Sequence, residues 1–82
     1  MSLHGPTKPL RVFGWIEPSG PRRIVAATTK REVAKVMDRP ESWLRNVTET
    51  RDPSEEAVAL ESPGVVFQRP MRDRTAPFTP RP

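Results

Sequence analysis

Prolines cut this chain into short pieces. They stand at positions 18, 21, 40, 53, 63 and 70, and the other five crowd the two ends. Proline interrupts a helix and is confined to the ends and edges of strands, so only short helices and short strands fit between these positions. The ends set the limits of the fold. Residues 1–9, MSLHGPTKP, read as a flexible arm, and residues 70–82, PMRDRTAPFTPRP, as a disordered or extended Pro/Arg-rich tail. A single domain is expected over residues 10–69.

A segment of about 60 residues buries only about 60% of the surface its unfolded chain exposes, which leaves no room for a deep cavity or a second domain. Disulfides and structural metals commonly reinforce such small cores. Neither is available in the usual form: there is no cysteine, and the one histidine, His4, lies beside Gly5 and Pro6. A zinc site draws on about four converging ligands, so no metal and no cofactor is expected. The longest apolar runs, IVAA and VVF, fall far short of the ~20 residues of a membrane helix. The N-terminus lacks the apolar core of a signal peptide, and a cytoplasmic protein without membrane contact is expected.

Between the prolines the pattern alternates between strand and helix. In LRVFGWIE, Leu10, Val12 and Ile16 share one face and Arg11, Phe13, Trp15 and Glu17 the other, the period of two of a strand. Apolar groups on both faces make it central, and Gly14 implies a close backbone approach or a bulge. The turn PSGP then leads into RRIVAA, which predicts a hairpin pairing residues 10–17 with 22–27. Thr29 and Glu32 form the T-x-x-E capping box, with Ala27 and Val33 as its hydrophobic staple. A helix should run from Lys30 to about Met37, with Val33, Val36 and Met37 inward. Pro40 opens a second helix bearing Trp43, Leu44 and Val47. Asp52, Pro53 and Glu55 open a third, as cap, first helical residue and closing residue of the box, and it carries Ala57, Val58 and Leu60. VVFQR restores strand character, with Val65 and Phe67 on one face. The expected fold is α+β: a small three-stranded antiparallel or mixed sheet, made of the hairpin and a C-terminal strand, with three short helices over one face. The first two helices would form a helix-turn-helix-like pair.

The segments VFGW, IVAATTKREVAK, ETRDPSEEAVA and PGVVFQRP, in that order, resemble a group of small, mostly uncharacterised proteins of phage and prophage origin. The resemblance covers roughly Val12 to Pro70. It implies a phage-type origin and a shared fold, and no activity. Where the group carries Gly-Asn after the Glu-Thr pair, this chain has Arg51 and Asp52; aspartate keeps the capping chemistry, while the loss of glycine makes a left-handed turn less comfortable.

The net charge is +4 and the isoelectric point about 10.7, which favours an acidic partner. In the helix-turn-helix reading, Ala34 lets the second helix approach and Val33, Met37, Leu44 and Val47 pack the pair. Asp38 stands where a glycine commonly allows the turn. On the second helix Glu41, Ser42, Arg45, Asn46 and Glu49 would face outward, with Arg45 and Asn46 as the base readers, arginine suiting guanine and asparagine adenine. Arg31 and Lys35, one turn apart on the first helix, would meet phosphates with Lys30 and Arg39, and Arg22 and Arg23 would extend the patch. The same residues also fit two core-packing helices with a solvated outer face. Trp15 and Trp43 are either stacking platforms or, as usual in a small domain, core. Glu55 and Glu56 are adjacent on a helix and point apart, no serine has a structured histidine, and there is no Gly-rich phosphate loop. No enzyme is expected. The favoured function is a phage-type regulatory protein binding nucleic acid; the alternative is a non-enzymatic phage protein that binds and modulates a host or phage protein.

Overall fold

A computed structural model describes residues 9–73 and 75–81. The expected arm over residues 1–9 falls, Pro9 apart, outside the described residues. The hairpin forms as the alternation requires. β1 (Arg11–Ile16) and β2 (Pro21–Ala27) pair antiparallel from Arg11↔Ala27 to Ile16↔Arg22. Its turn closes with the Gly20 amide donating to Glu17 O at 2.8 Å, and Gly20 takes φ +122°, a value that a side chain would strain.

The sheet has five strands, all antiparallel, rather than three. Its order is β3-β1-β2-β4-β5, with β3 at Thr48–Glu49, β4 at Phe67–Pro70 and β5 at Thr79–Pro80. β5 comes from the segment expected to be a disordered or extended tail. The Arg81 amide donates to Val66 O at 2.7 Å, and Phe78 packs against the cluster around Phe67 with the Arg69 guanidinium 4.4 Å from its ring centroid. An aromatic anchor and a few backbone bonds are enough to hold a short edge strand. Pro80 also removes a donor from that edge, which blunts it against further pairing.

Helices cover both faces of the sheet, not one. Ile24, Val25 and Ala26 on β2 are all fully buried, and because successive strand residues point to opposite faces, such a run needs cover on both sides. On the first face Phe13, Trp15, Val25 and Ala27 meet Val33, Met37, Val47 and Val66, with Trp43 and Leu44 half-buried against them. On the second, Val12, Ile24, Ala26 and Phe67 meet Ala59, with Val58 and Phe78 at the margin. The chain thus wraps its own hairpin: over one face, around the β1 edge through β3, under the other face, and back into the sheet beside β2.

α1 (Lys30–Met37) begins at the expected capping box. The Glu32 amide donates to Thr29 Oγ1, while the Glu32 carboxylate receives the Thr28 and Thr29 amides and the Thr28 hydroxyl. It ends at Asp38, which takes the left-handed conformation with φ 54° and ψ 50°. Aspartate tolerates this region better than most residues, yet any Cβ costs there. Asp38→Gly is therefore expected to raise stability, by up to about 1 kcal/mol once the entropy of a flexible glycine is set against the relieved strain. A urea midpoint below that of the parent would show that the Asp38 side chain outweighs it.

The expected second helix is a 3₁₀ helix of six residues, Glu41–Asn46. Val47 is buried and already extended, at φ −103° and ψ 132°, because β3 starts next to it; the chain has only one short element in which to cross from α1 to the sheet edge. The helix-turn-helix expectation fails on this point. At about 2 Å per residue the element is too short to fill a major groove, and it lowers Trp43 and Leu44 onto the core instead.

α2 (Pro53–Glu61) starts as expected at Asp52, whose carboxylate accepts from the Ser54 amide at 2.9 Å. Glu55 does not close a capping box; it turns under the helix with Ala59, and both are buried. The inner stripe is therefore Glu55, Val58 and Ala59, while Ala57 and Leu60 face out.

Candidate functional site

Three of the nine cations and polar groups expected to meet nucleic acid are committed inside the fold. Arg23 and Arg39 converge on Glu17, only 5% exposed at the end of β1. Its carboxylate accepts from Trp15 Nε1 at 2.8 Å, Arg23 Nη1 at 2.9 Å and Arg39 Nη2 at 3.3 Å. Burial alone would raise the Glu17 pKa, but the hydrogen bonds from Trp15 and Arg39 and the charges of Arg39 and Arg23 outweigh it, so the group is held below its ordinary value. Arg39 also lies 4.9 Å above the Trp43 ring centroid, and Trp43 meets Trp15 edge to face at 5.1 Å. Glu17 thereby ties the hairpin, the end of α1 and the 3₁₀ helix together.

Arg22 serves the opposite face. Its Nε and Nη2 donate to the two oxygens of Glu55, both at 3.0 Å, and the Thr50 hydroxyl donates to Glu55 Oε1 at 2.7 Å. Burial pushes the Glu55 pKa up, and the Arg22 and Thr50 hydrogen bonds more than reverse it. Gly14 is what makes room. A Cβ there would stand 2.5 Å from Arg22 Nη2, so the glycine admits a guanidinium rather than the expected backbone or bulge.

Sequence reasoning missed Glu17, Thr50 and Glu55 as organising residues. For Glu17 a signal existed: it is in phase with Phe13 and Trp15 on a face that must be buried. Glu55 is one helical turn before Ala59, a weaker hint of the same kind.

The other six expected residues stay on the outer side of the α1 layer. Lys30, Arg31, Lys35, Ser42, Arg45 and Asn46 are all exposed. Arg31 reaches Glu41 at 3.7 Å with both side chains largely in solvent, a pair that contributes little. The Asn46 amide is turned back to donate to Trp43 O at 3.1 Å. Glu32, Asp38 and Glu41 stand among the cations, so this surface is mixed in sign.

A different feature emerges at the end of the sheet where the chain turns. The β1–β2 turn, the α1–3₁₀ connection and the β4–β5 connection meet there and frame two open grooves that share Gly20. One, about 490 Å³, runs between Ile16 and Pro18 on one side and Arg39, Trp43 and Asn46 on the other. Ile16 is 54% exposed. The second, about 650 Å³, lies over the part of β4 and β5 that α1 leaves bare, between the Ser19–Pro21 turn and Met71 and Arg72. Met71 is 40% exposed.

Among the described residues no group of three or more His, Cys, Asp or Glu side chains could hold a metal ion, and no helix is long and apolar enough to cross a membrane. Comparison with protein-family models, with curated proteins and with solved structures finds no match for this chain.

Proposed function

We propose that this chain is a small non-catalytic binding module of phage type, acting in the cytoplasm, whose partner is another protein met at the turn end of the sheet. The observation that carries the reading is the pair of grooves there, each flanked by a large exposed apolar side chain, Ile16 or Met71, beside prolines. Solvent-facing apolar groups around preformed concavities supply the core of a protein interface. The pairing of Arg22, Arg23 and Arg39 with buried carboxylates argues in the same direction, since it neutralises three cations that a polyanion would otherwise meet.

The test is retention of a partner by the tagged protein after nuclease treatment and at raised salt. An interface with an apolar core tolerates both. Ile16→Asp and Met71→Asp together should abolish retention while leaving the far-ultraviolet circular dichroism unchanged. A second reading, phosphate contact, is favoured by the exposed Lys30, Lys35 and Arg45 on the α1 layer. It calls for binding to a DNA or RNA fragment that weakens steeply with salt and falls with Lys35→Ala or Arg45→Ala. Nuclease-sensitive retention with that salt dependence would replace the protein-partner reading.

A further inference from the structure

We infer that β5 is an exchangeable strand: it detaches from β4 and docks on the same edge of a second copy of this chain, which returns its own β5. This goes beyond the protein-partner reading and does not rest on it. Among the described residues from 71 to 81 none is buried, and only Ala76 and Phe78 are half-buried. What β5 lies against is core. Val66 and Phe67, where the chain enters β4, are 5% and 9% exposed, and β5 meets this edge through the Phe67↔Pro80 and Gln68↔Thr79 pairs.

The attachment is confined to four residues. The Arg81 amide donates to Val66 O at 2.7 Å and Arg81 Nη1 stands 3.6 Å from Met37 Sδ, while Phe78 packs at the margin of the second cluster with the Arg69 guanidinium over its ring. Each of these contacts joins residues 78–81 to the body of the domain, so a second copy reproduces it in full. The hydrogen bonds of the connection stay within it. The Asp73 amide donates to Pro70 O at 3.3 Å, the Ala76 amide to Asp73 O at 3.2 Å, and the Asp73 carboxylate accepts from the Thr75 amide at 2.9 Å. Local opening falls first on elements with so few buried apolar contacts.

Opening leaves β4 as a bare sheet edge with Phe67 beside it, a template for strand pairing. The occupant whose fit the structure already shows is this same tail, and a second copy supplies it. Because the contacts are identical in the closed and the exchanged arrangement, exchange is a low-cost route to a dimer. Prolines favour the extended arm that it needs. Arg69, Ala76 and Thr79 each precede a proline, which disfavours helical backbone and holds them towards extended conformations. Pro80 also lacks an amide donor, so a docked β5 ends the sheet and pairing stops there.

The chain contains no cysteine, so introduced thiols report the exchange. Full chains carrying Gln68→Cys are mixed with full chains carrying Thr79→Cys, taken through mild denaturant at high concentration and returned to buffer before oxidation. A disulfide-linked pair is expected, and light scattering of the unsubstituted chain should show a dimer fraction that rises with concentration. Arg51→Cys in place of Gln68→Cys measures random encounter, since Arg51 follows β3 at the opposite edge of the sheet and its side chain is exposed; it should link far less. Adding Phe78→Asp to the Thr79→Cys chain should abolish the link while the circular dichroism is kept. A second variant, lacking residues 71–76, joins Pro70 directly to Pro77. Two prolines cannot take the positive φ that a two-residue hairpin turn requires, so β4 can be met only by the β5 of another copy, and this variant should be wholly dimeric. Equal linking with Arg51→Cys, linking that survives Phe78→Asp, a parent chain monomeric at every concentration, or a shortened chain that stays monomeric would each overturn the exchange and leave the protein-partner reading standing.

Discussion

Trp15→Ala is expected to leave the domain largely unfolded at physiological temperature. The side chain is 2% exposed at the centre of the first core cluster. Truncating a buried tryptophan costs about 3–5 kcal/mol, and a chain of this size has about 4–12 kcal/mol in total. The loss exceeds the cavity. The indole N–H is one of the donors to Glu17, so its removal leaves a buried carboxylate less satisfied, and it strips Trp43 of its edge-to-face partner. Trp15→Phe separates these contributions: it keeps an aromatic ring in the cluster and deletes the donor, for which about 1–3 kcal/mol is expected. Urea unfolding monitored by circular dichroism gives both numbers. A Trp15→Ala protein within about 1 kcal/mol of the parent would mean that the α1 layer is not held through this residue.

How much of this was legible in the sequence follows the range of each interaction. The hairpin, the Thr29–Glu32 box and the Asp52–Pro53 start are encoded within a few residues, and each stands where the pattern placed it. β3 and β5 are two residues long and too short to show a period. They exist because Thr48 and Glu49 reach Gly14 and Phe13, and Thr79 and Pro80 reach Gln68 and Phe67, pairings that only the folded chain brings about. The covering of both faces was written in the IVAA run, where consecutive buried residues leave neither side of β2 free. The charge pattern misled for a physical reason. The carboxylates that neutralise Arg22, Arg23 and Arg39 lie 33, 6 and 22 residues away, so a count of basic residues along the chain could not separate surface cations from internal ones. The exposed remainder, Lys30, Arg31, Lys35 and Arg45, is interleaved with carboxylates. The turn-end grooves had no local signature, since they are built from three connections that converge only in three dimensions.

The second large effect is expected at the Arg22–Glu55 pair, which joins α2 to the sheet. Both side chains are mostly buried, at 19% and 5% exposure, and their contact is bidentate. Removing either partner leaves the other as an uncompensated charge under α2, at a cost of about 3–5 kcal/mol. Arg22→Ala and Glu55→Ala should therefore each come close to unfolding the chain. Arg22→Met combined with Glu55→Leu should recover most of that loss, because an apolar pair of similar volume carries no desolvation cost. Gly14 gives an independent check on the same geometry. With Arg22 present, Gly14→Ala forces its guanidinium out of line with Glu55 and should destabilise by an amount approaching that of Arg22→Ala. In an Arg22→Ala background the added methyl meets no guanidinium, and the same substitution should be nearly neutral. The two changes are thus expected to be strongly non-additive, with a coupling well above the few tenths of a kcal/mol found between independent sites. Additive urea midpoints across the four proteins would show that Gly14 is present for some reason other than the seat of Arg22.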